Sequence, residues 1–229
     1  MLDFYNQLAE DYHLIFEDWD TSVKRQGRVL DQIIQNQISI SPNNLSVLDC
    51  SCGIGTQAIG LALLGYNVLA TDFSTKAVSR AKREAKRLQA NLTFGVADFR
   101  TLSDQVKGAF NIIISCDNSL PHLLDDTDLQ LALRNIWSKL SDNAFFLASI
   151  RDYDQLLKEK PRATTPKVFN DETGKRIVFQ ICDWGINENI GLAISDEIIK
   201  LHGGKIDVES NLGNSTLFIV SLPKRTLIE

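Results

Sequence analysis

A chain of 229 residues, 44% hydrophobic and 23% charged, is long enough to close a sizeable core as one large domain, or one domain with a small extension. Its net charge of −5 argues against a dedicated nucleic-acid or membrane-surface binder, since both favour basic surfaces, and no long apolar run offers a transmembrane span. The cysteines at 50, 52, 116 and 182 lack the second Cys or His pair of a zinc site, so no metal is expected, and three of them lie in apolar strand-like runs as the buried thiols of a reducing cytoplasm.

Residues 3–38 read as helical, with apolar positions at Phe4, Leu8, Tyr12, Ile15 and Phe16 and then at Val29, Leu30, Ile33 and Ile34. The acidic start of this stretch does not resemble a secretory leader. Asn43-Asn44 marks a turn. Strand-like runs follow at 45–50, 67–72, 92–97, 110–116 and 144–150, with helical runs between them. Ser74 is a plausible cap for a helix that repeats Ala77, Ala81, Ala85 and Leu88 on one face and shows Lys76, Arg80, Arg83 and Arg87 on the other, a solvated face. A helix near 127–140 turns Leu129, Leu133, Ile136, Trp137 and Leu140 inward. Apolar strands alternating with helices predict an α/β fold, a doubly wound and mostly parallel sheet with helices on both faces. Ligands of such sheets bind beyond the carboxyl ends of the strands, where strand order reverses.

The residues just after the strands are therefore the ones to read. After the first stands Asp49-Cys50-Ser51-Cys52-Gly53-Ile54-Gly55-Thr56. Its two glycines let backbone approach a ligand without Cβ interference, and the next helix aims its positive N-terminus at the same place. After the second come Asp72 and Phe73, and a carboxylate at Asp72 can accept both ribose hydroxyls of a nucleoside. After the third, Ala97-Asp98-Phe99 offers a carboxylate for an exocyclic amine and an aromatic edge for adenine. After the fourth, Cys116-Asp117-Asn118-Ser119-Leu120-Pro121-His122 would lie over the reacting end of the ligand. Each piece alone has an ordinary reading, as a tight turn or a helix cap. Four in succession point to nucleoside binding.

The run VLDCSCGIGT resembles the first motif of the class I S-adenosylmethionine methyltransferases, and Asp72 and Asp98 match that family's ribose and adenine positions. The resemblance spans about residues 1–184 and implies S-adenosylmethionine as cofactor, held by Asp49, Cys50, Gly53, Gly55, Asp72, Phe73, Ala97, Asp98, Phe99 and Cys116. Ser51 stands where the family has its first glycine, which requires a negative φ there. A narrower likeness is to the glycine and sarcosine N-methyltransferases, through Asn118-Ser119 with His122-Leu123, Leu131-Ala132-Leu133 with Asn135-Ile136, and Arg151 with Tyr153-Asp154. It implies that Arg151 holds a substrate carboxylate with its guanidinium fork, that Asn118 orients the amine, and that Tyr12 and Trp19 are aromatics of an N-terminal helical lid over residues 1–40. Arg151 paired with Asp152 or Asp154, and Tyr12 and Trp19 as core residues, are the structural alternatives. His122 reads as a wall of the substrate site or a helix start. The partner implied is a small-molecule methyl acceptor.

Segment 158–184 reads as a strand-bearing lid or substrate-binding excursion. From Gly185 the sequence changes character, and about residues 189–223 resemble the end of the ATP-binding domain of sensor histidine kinases. The magnesium-holding asparagine helix and the Asp-x-Gly-x-Gly loop have no counterpart, and one helix with a hairpin cannot enclose ATP, so kinase activity is not expected. The tail, 185–229, reads instead as a helix over 192–202, a Gly203-Gly204 cap and strands 205–210 and 215–222 that complete a seven-stranded sheet. Two rival functions stay open at this stage. Gly53-x-Gly55-x-x-Ala58 satisfies the dinucleotide fingerprint of a nicotinamide oxidoreductase, and a non-catalytic nucleoside-binding fusion with a kinase remnant fits the tail.

Overall fold

The computed structural model describes residues 6–171, 174–179, 205–209 and 217–221. Five strands form the parallel part of the sheet: β1 (Ser46–Asp49), β2 (Asn67–Asp72), β3 (Thr93–Val96), β4 (Phe110–Ser115) and β5 (Leu140–Ser149). Of the remaining strands, β6 (Lys167–Asp171) and β7 (Gly174–Val178) pair only with each other, whereas β8 (Lys205–Glu209) and β9 (Leu217–Ser221) extend the main sheet. Its order is β3-β2-β1-β4-β5-β9-β8, with β9 antiparallel to both β5 and β8. The mostly parallel seven-stranded sheet with an antiparallel hairpin is therefore as the sequence predicts. The expected helix 192–202 and the turns at 203–204 and 211–214 lie outside the described residues. A dinucleotide fold would repeat its first half with further parallel strands; here β5 is followed in the sheet by an antiparallel strand.

Period-two alternation builds two cores from the same strands. Val47, Ile112, Ile114, Phe145 and Leu147 face the helices Trp19–Gln37 and Thr56–Leu63, while Leu48, Ile113 and Phe146 face the helix Asp126–Ser138. The first two helices meet backbone to backbone. A Cβ on Gly60 would come within 2.5 Å of the Val23 carbonyl oxygen, and one on Gly27 within 2.6 Å of the Gly60 carbonyl carbon. Only glycine fits at this crossing, so the glycines fix where the N-terminal helix lies.

Several expectations change. The helix read over 3–38 is broken. A 3-10 turn, Tyr12–Ile15, precedes the long helix, which starts at Trp19 because the Asp18 side chain accepts the Thr21 amide at 2.9 Å. Leu140 opens β5 instead of closing the helix before it. The basic face of the helix Thr75–Arg87 is not simply solvated. Arg80 and Arg83 grip Glu10, and Arg87 grips Asp20, so the face clasps the N-terminal segment. The excursion after β5 holds a helix, Tyr153–Glu159, and the β6–β7 hairpin, whose Arg176 donates to the Phe16 carbonyl at 3.0 Å. No helix among the described residues is long and apolar enough to cross a membrane.

Candidate active site

The strands β1 and β4 are neighbours whose following helices cover opposite faces, so their loops part and leave a hollow at the carboxyl edge. The cavity there measures about 660 Å³, inside the roughly 300–1,000 Å³ range of ligand sites. Its walls are Tyr12, the loop from Cys50 to Ile54, Thr56 and Gln57, Asp72 and Phe73, Ala97 to Arg100, Cys116, Asp117, Ser119, and the stretch from His122 to Asp125 with Asp128.

The glycine bend is tied to its neighbours by main-chain bonds. The Cys50 amide donates to Ile114 of β4, and the Cys52 amide to Thr71 of β2, at 3.0 and 2.9 Å. Ser51 keeps a non-positive φ, so the missing glycine does no harm there, and its hydroxyl bonds Ser115 at 2.9 Å. Gly53 and Gly55 have φ of 52° and 93°, the left-handed region that glycine enters without strain. A Cβ at Gly53 would meet no protein atom within 4 Å, so the Cα of this residue borders open space beside the cavity it lines. The Asp72 carboxylate accepts the Gly53 amide at 2.9 Å and the Ser74 amide at 2.9 Å. Bend and carboxylate thus form one rigid corner with acceptor capacity to spare on the cavity side.

Ten of the sequence-predicted residues meet at this cavity: Tyr12, Cys50, Gly53, Asp72, Phe73, Ala97, Asp98, Phe99, Cys116 and His122. Five do not line it. Asp49 is 1% exposed beneath the bend, where its carboxylate accepts the Ser51 amide. Gly55 turns the chain into the helix Thr56–Leu63, and a Cβ there would strike Ile59 at 2.8 Å. Trp19 lies behind the bend in an apolar cluster with Val23, Ile54 and Ile59, its indole donating to Thr56 at 3.0 Å. Its place is thus in the core, bracing the loop behind the cavity wall, which is the core alternative of the two. Asn118 is engaged on both side-chain atoms by the Tyr153 hydroxyl, at 2.8 and 3.0 Å, and accepts the Arg151 amide. Arg151 is exposed, and its charge reaches Asp117 and His122 of the cavity wall.

Residues that sequence reasoning missed complete the walls. Gln57 donates both amide hydrogens, to Gln26 at 2.6 Å and to Asp117 at 2.7 Å. Arg100 forks onto Asp98 and reaches Asp128 at 2.5 Å, so the proposed adenine carboxylate carries an arginine partner. A carboxylate two residues before an arginine, in a loop facing an acidic helix start, was the available signal.

Electrostatics sets the character of the site. Burial pushes Asp49 up to about 8, opposed by the Ser51 amide and reinforced by Asp72 and Asp117. Burial also raises Asp72, against the Ser74 and Gly53 amides, and raises Asp117, against the Gln57 bond and the charges of Arg25 and Arg151. For Asp98 burial pulls upward too, but the Arg100 bonds prevail and hold it below the usual carboxylate range. His122 is lowered, by burial first and then by Arg151. Burial keeps the Cys50, Cys52 and Cys116 thiols protonated, well above their ordinary range. Asp72, Asp98 and Asp117, which line the same hollow, are relieved by a cation and aggravated by an anion.

A glycine bend, a carboxylate one strand over, and a cavity beyond the carboxyl edge together make an α/β domain with a candidate nucleoside site. Residues 47–143 match the family model described as a methyltransferase domain. Glycine/sarcosine N-methyltransferase of Parasynechococcus marenigrum is 29% identical over 141 residues, covering 62% of this chain and 48% of that protein. Human glycine N-methyltransferase is 31% identical over 124 residues, covering 48% of this chain and 42% of its own. The chain spans about half the length of the curated relatives it matches. Among solved structures, an S-adenosylmethionine-dependent methyltransferase from Clostridium acetobutylicum superposes with a TM-score of 0.63 at 16% identity, covering 96% of this chain and 99% of that one. Magnesium protoporphyrin IX methyltransferase of Synechocystis, solved with bound S-adenosylmethionine, gives 0.60 at 16% identity, covering 97% and 94%. These likenesses establish the fold.

Proposed function

We propose that this protein transfers the methyl group of S-adenosylmethionine to the amine of a small acceptor, with glycine, sarcosine or a similar amino acid favoured. One observation carries the reading: the Gly53–Asp72 corner opens on a cavity whose carboxylates Asp72 and Asp117 are raised by burial. A cationic adenosyl ligand suits such a site, whereas the pyrophosphate of a nicotinamide dinucleotide would be repelled. The relatives named glycine and sarcosine N-methyltransferases support the choice of acceptor.

S-adenosylmethionine supplies a methyl already activated on a sulfonium, so the protein's task is alignment and electrostatics. Asp72 takes the ribose hydroxyls. Ala97 and Phe99 flank the adenine, with Asp98 held in place by Arg100. Cys50, Cys116 and Gly53 shape the floor, and Phe73 the side. Tyr12 offers its ring face to positive charge. Arg151 binds the acceptor's carboxylate from the rim, Asn118 fixes the loop that carries it, and His122 closes the wall. Residues 1–184 make up the methyltransferase unit, and 185–229 a tail that completes the sheet.

Calorimetry tests the cofactor: S-adenosylhomocysteine should bind and NAD should not. Transfer of labelled methyl to glycine or sarcosine tests the acceptor, and tight cofactor binding with no transfer to any amine would reject it.

A further inference from the structure

Asp117 has a backbone φ of 54°, followed by Asn118 at 67°. Side chains other than glycine rarely adopt this region, and consecutive examples need support from their surroundings. The support is visible. The Asp117 amide donates to the Ser149 hydroxyl at 3.0 Å, and the Asn118 amide to the Ser149 carbonyl at 3.0 Å. The unusual backbone presents a carboxylate to the cavity, where Gln57 holds one oxygen at 2.7 Å. Charged groups surround it: Arg25 from the N-terminal helix, Arg151 beyond β5 and Asp49 at the end of β1, with His122 facing Arg151. The chain therefore sustains strain that places a negative group at the reactive end, beside the arginine assigned to a carboxylate.

We propose that Asp117 holds the acceptor's amine and takes its proton, which makes the preferred acceptor a molecule with an amine at Asp117 and a carboxylate at Arg151. This rests on the methyl-transfer reading above. An amino acid near neutral pH carries an ammonium, which has no lone pair to attack. One ammonium N–H bond breaks, its proton joins an Asp117 carboxylate oxygen, and the nitrogen keeps the electron pair. That pair then forms the new N–C bond to the methyl as the S–C bond breaks, and sulfur retains the S–C electrons as a neutral thioether. Asp117 afterwards passes its proton to water.

The test uses the full chain loaded with S-adenosylhomocysteine and three probes: glycine, methylamine and acetate. Asp117→Asn keeps an acceptor for Gln57 and a residue type that tolerates left-handed φ. It should weaken glycine and methylamine at least tenfold while leaving acetate and S-adenosylhomocysteine unchanged. With S-adenosylmethionine, its deficit in glycine methylation should shrink as pH rises and free amine replaces ammonium. Asp117→Gly should lose the same binding yet raise Tm by about 2–5 °C, as strain is released. Undiminished glycine and methylamine binding in Asp117→Asn overturns the proposal, as does weaker S-adenosylhomocysteine binding, which would make Asp117 a cofactor residue. If the wild type methylates no amino acid but its methylamine binding depends on Asp117, the acceptor reading fails while the carboxylate's role stands. A wild type that binds neither amine overturns both.

Discussion

The two ends of the cavity are built by different means. At the end proposed for the adenosyl group, main-chain amides of Cys50, Cys52 and Gly53 are bonded to neighbouring strands or to Asp72, and the shape follows from the sheet. At the end proposed for the acceptor, side chains hold side chains: Gln26 to Gln57 to Asp117, and Asn118 to Tyr153. Backbone geometry leaves few options for a ligand that must meet it. A side-chain lattice can be rewritten one residue at a time, so the acceptor should be the changeable partner.

The largest effect that would sharpen this contrast belongs to the rigid end. Asp72→Ala should weaken S-adenosylhomocysteine on the order of 100-fold, roughly 3 kcal/mol for lost charged hydrogen bonds and a loosened bend, read by calorimetry. Arg151→Ala should leave that affinity alone and raise KM for a carboxylate-bearing acceptor about 10- to 30-fold, near 1.5–2 kcal/mol. Equal losses of cofactor binding in both variants would erase the distinction between the two ends.

A third effect, on stability and not on binding, concerns what lies beneath the bend. Asp49 has a folded value of about 8 against an ordinary 3.8, so it favours the folded state most below pH 4 and loses that contribution as pH rises from about 4 to 8. Thermal melts of Asp49→Asn should therefore gain on the wild type across that interval and hold a constant difference above it. The smallest effect lies at the clasp. Glu10→Gln removes exposed pairs to Arg80 and Arg83, and such pairs contribute about 0–1 kcal/mol. Its Tm should shift little, while the rate of S-adenosylhomocysteine release, followed by stopped flow, should rise.

Legibility in the sequence follows the same division. The convergence of the glycine bend, Asp72, Asp98 and Phe99 on one cavity could be read because all four stand at strand ends, where a doubly wound sheet gathers its loops. The acceptor end was only partly visible. Asp117 stood in the run singled out after β4, but its left-handed backbone and its bond to Gln57, 60 residues away, are tertiary facts. For Trp19 the sequence leaves a lid aromatic and a core residue both open, because periodicity cannot say which buried surface an aromatic meets; the structure places it behind the loop. The basic face of the helix Thr75–Arg87 looked solvated because Glu10 and Asp20 are distant in the chain. The crossing at Gly27 and Gly60 left no periodic trace, since a missing Cβ adds nothing to a hydrophobic pattern.

That crossing has a consequence for traffic through the site. With main chain pressed against main chain, the stretch from Trp19 onward has no slack with which to swing aside. The piece upstream that carries Tyr12, which ion pairs at the water's edge fasten to the body, is then the part of this wall with freedom to give way to the bulky adenosyl compound of the proposed reaction. Dissolved salt weakens such fastenings and scarcely touches the buried floor. Turnover limited by release of spent cofactor would then quicken in brine with its affinity for the floor's contacts intact.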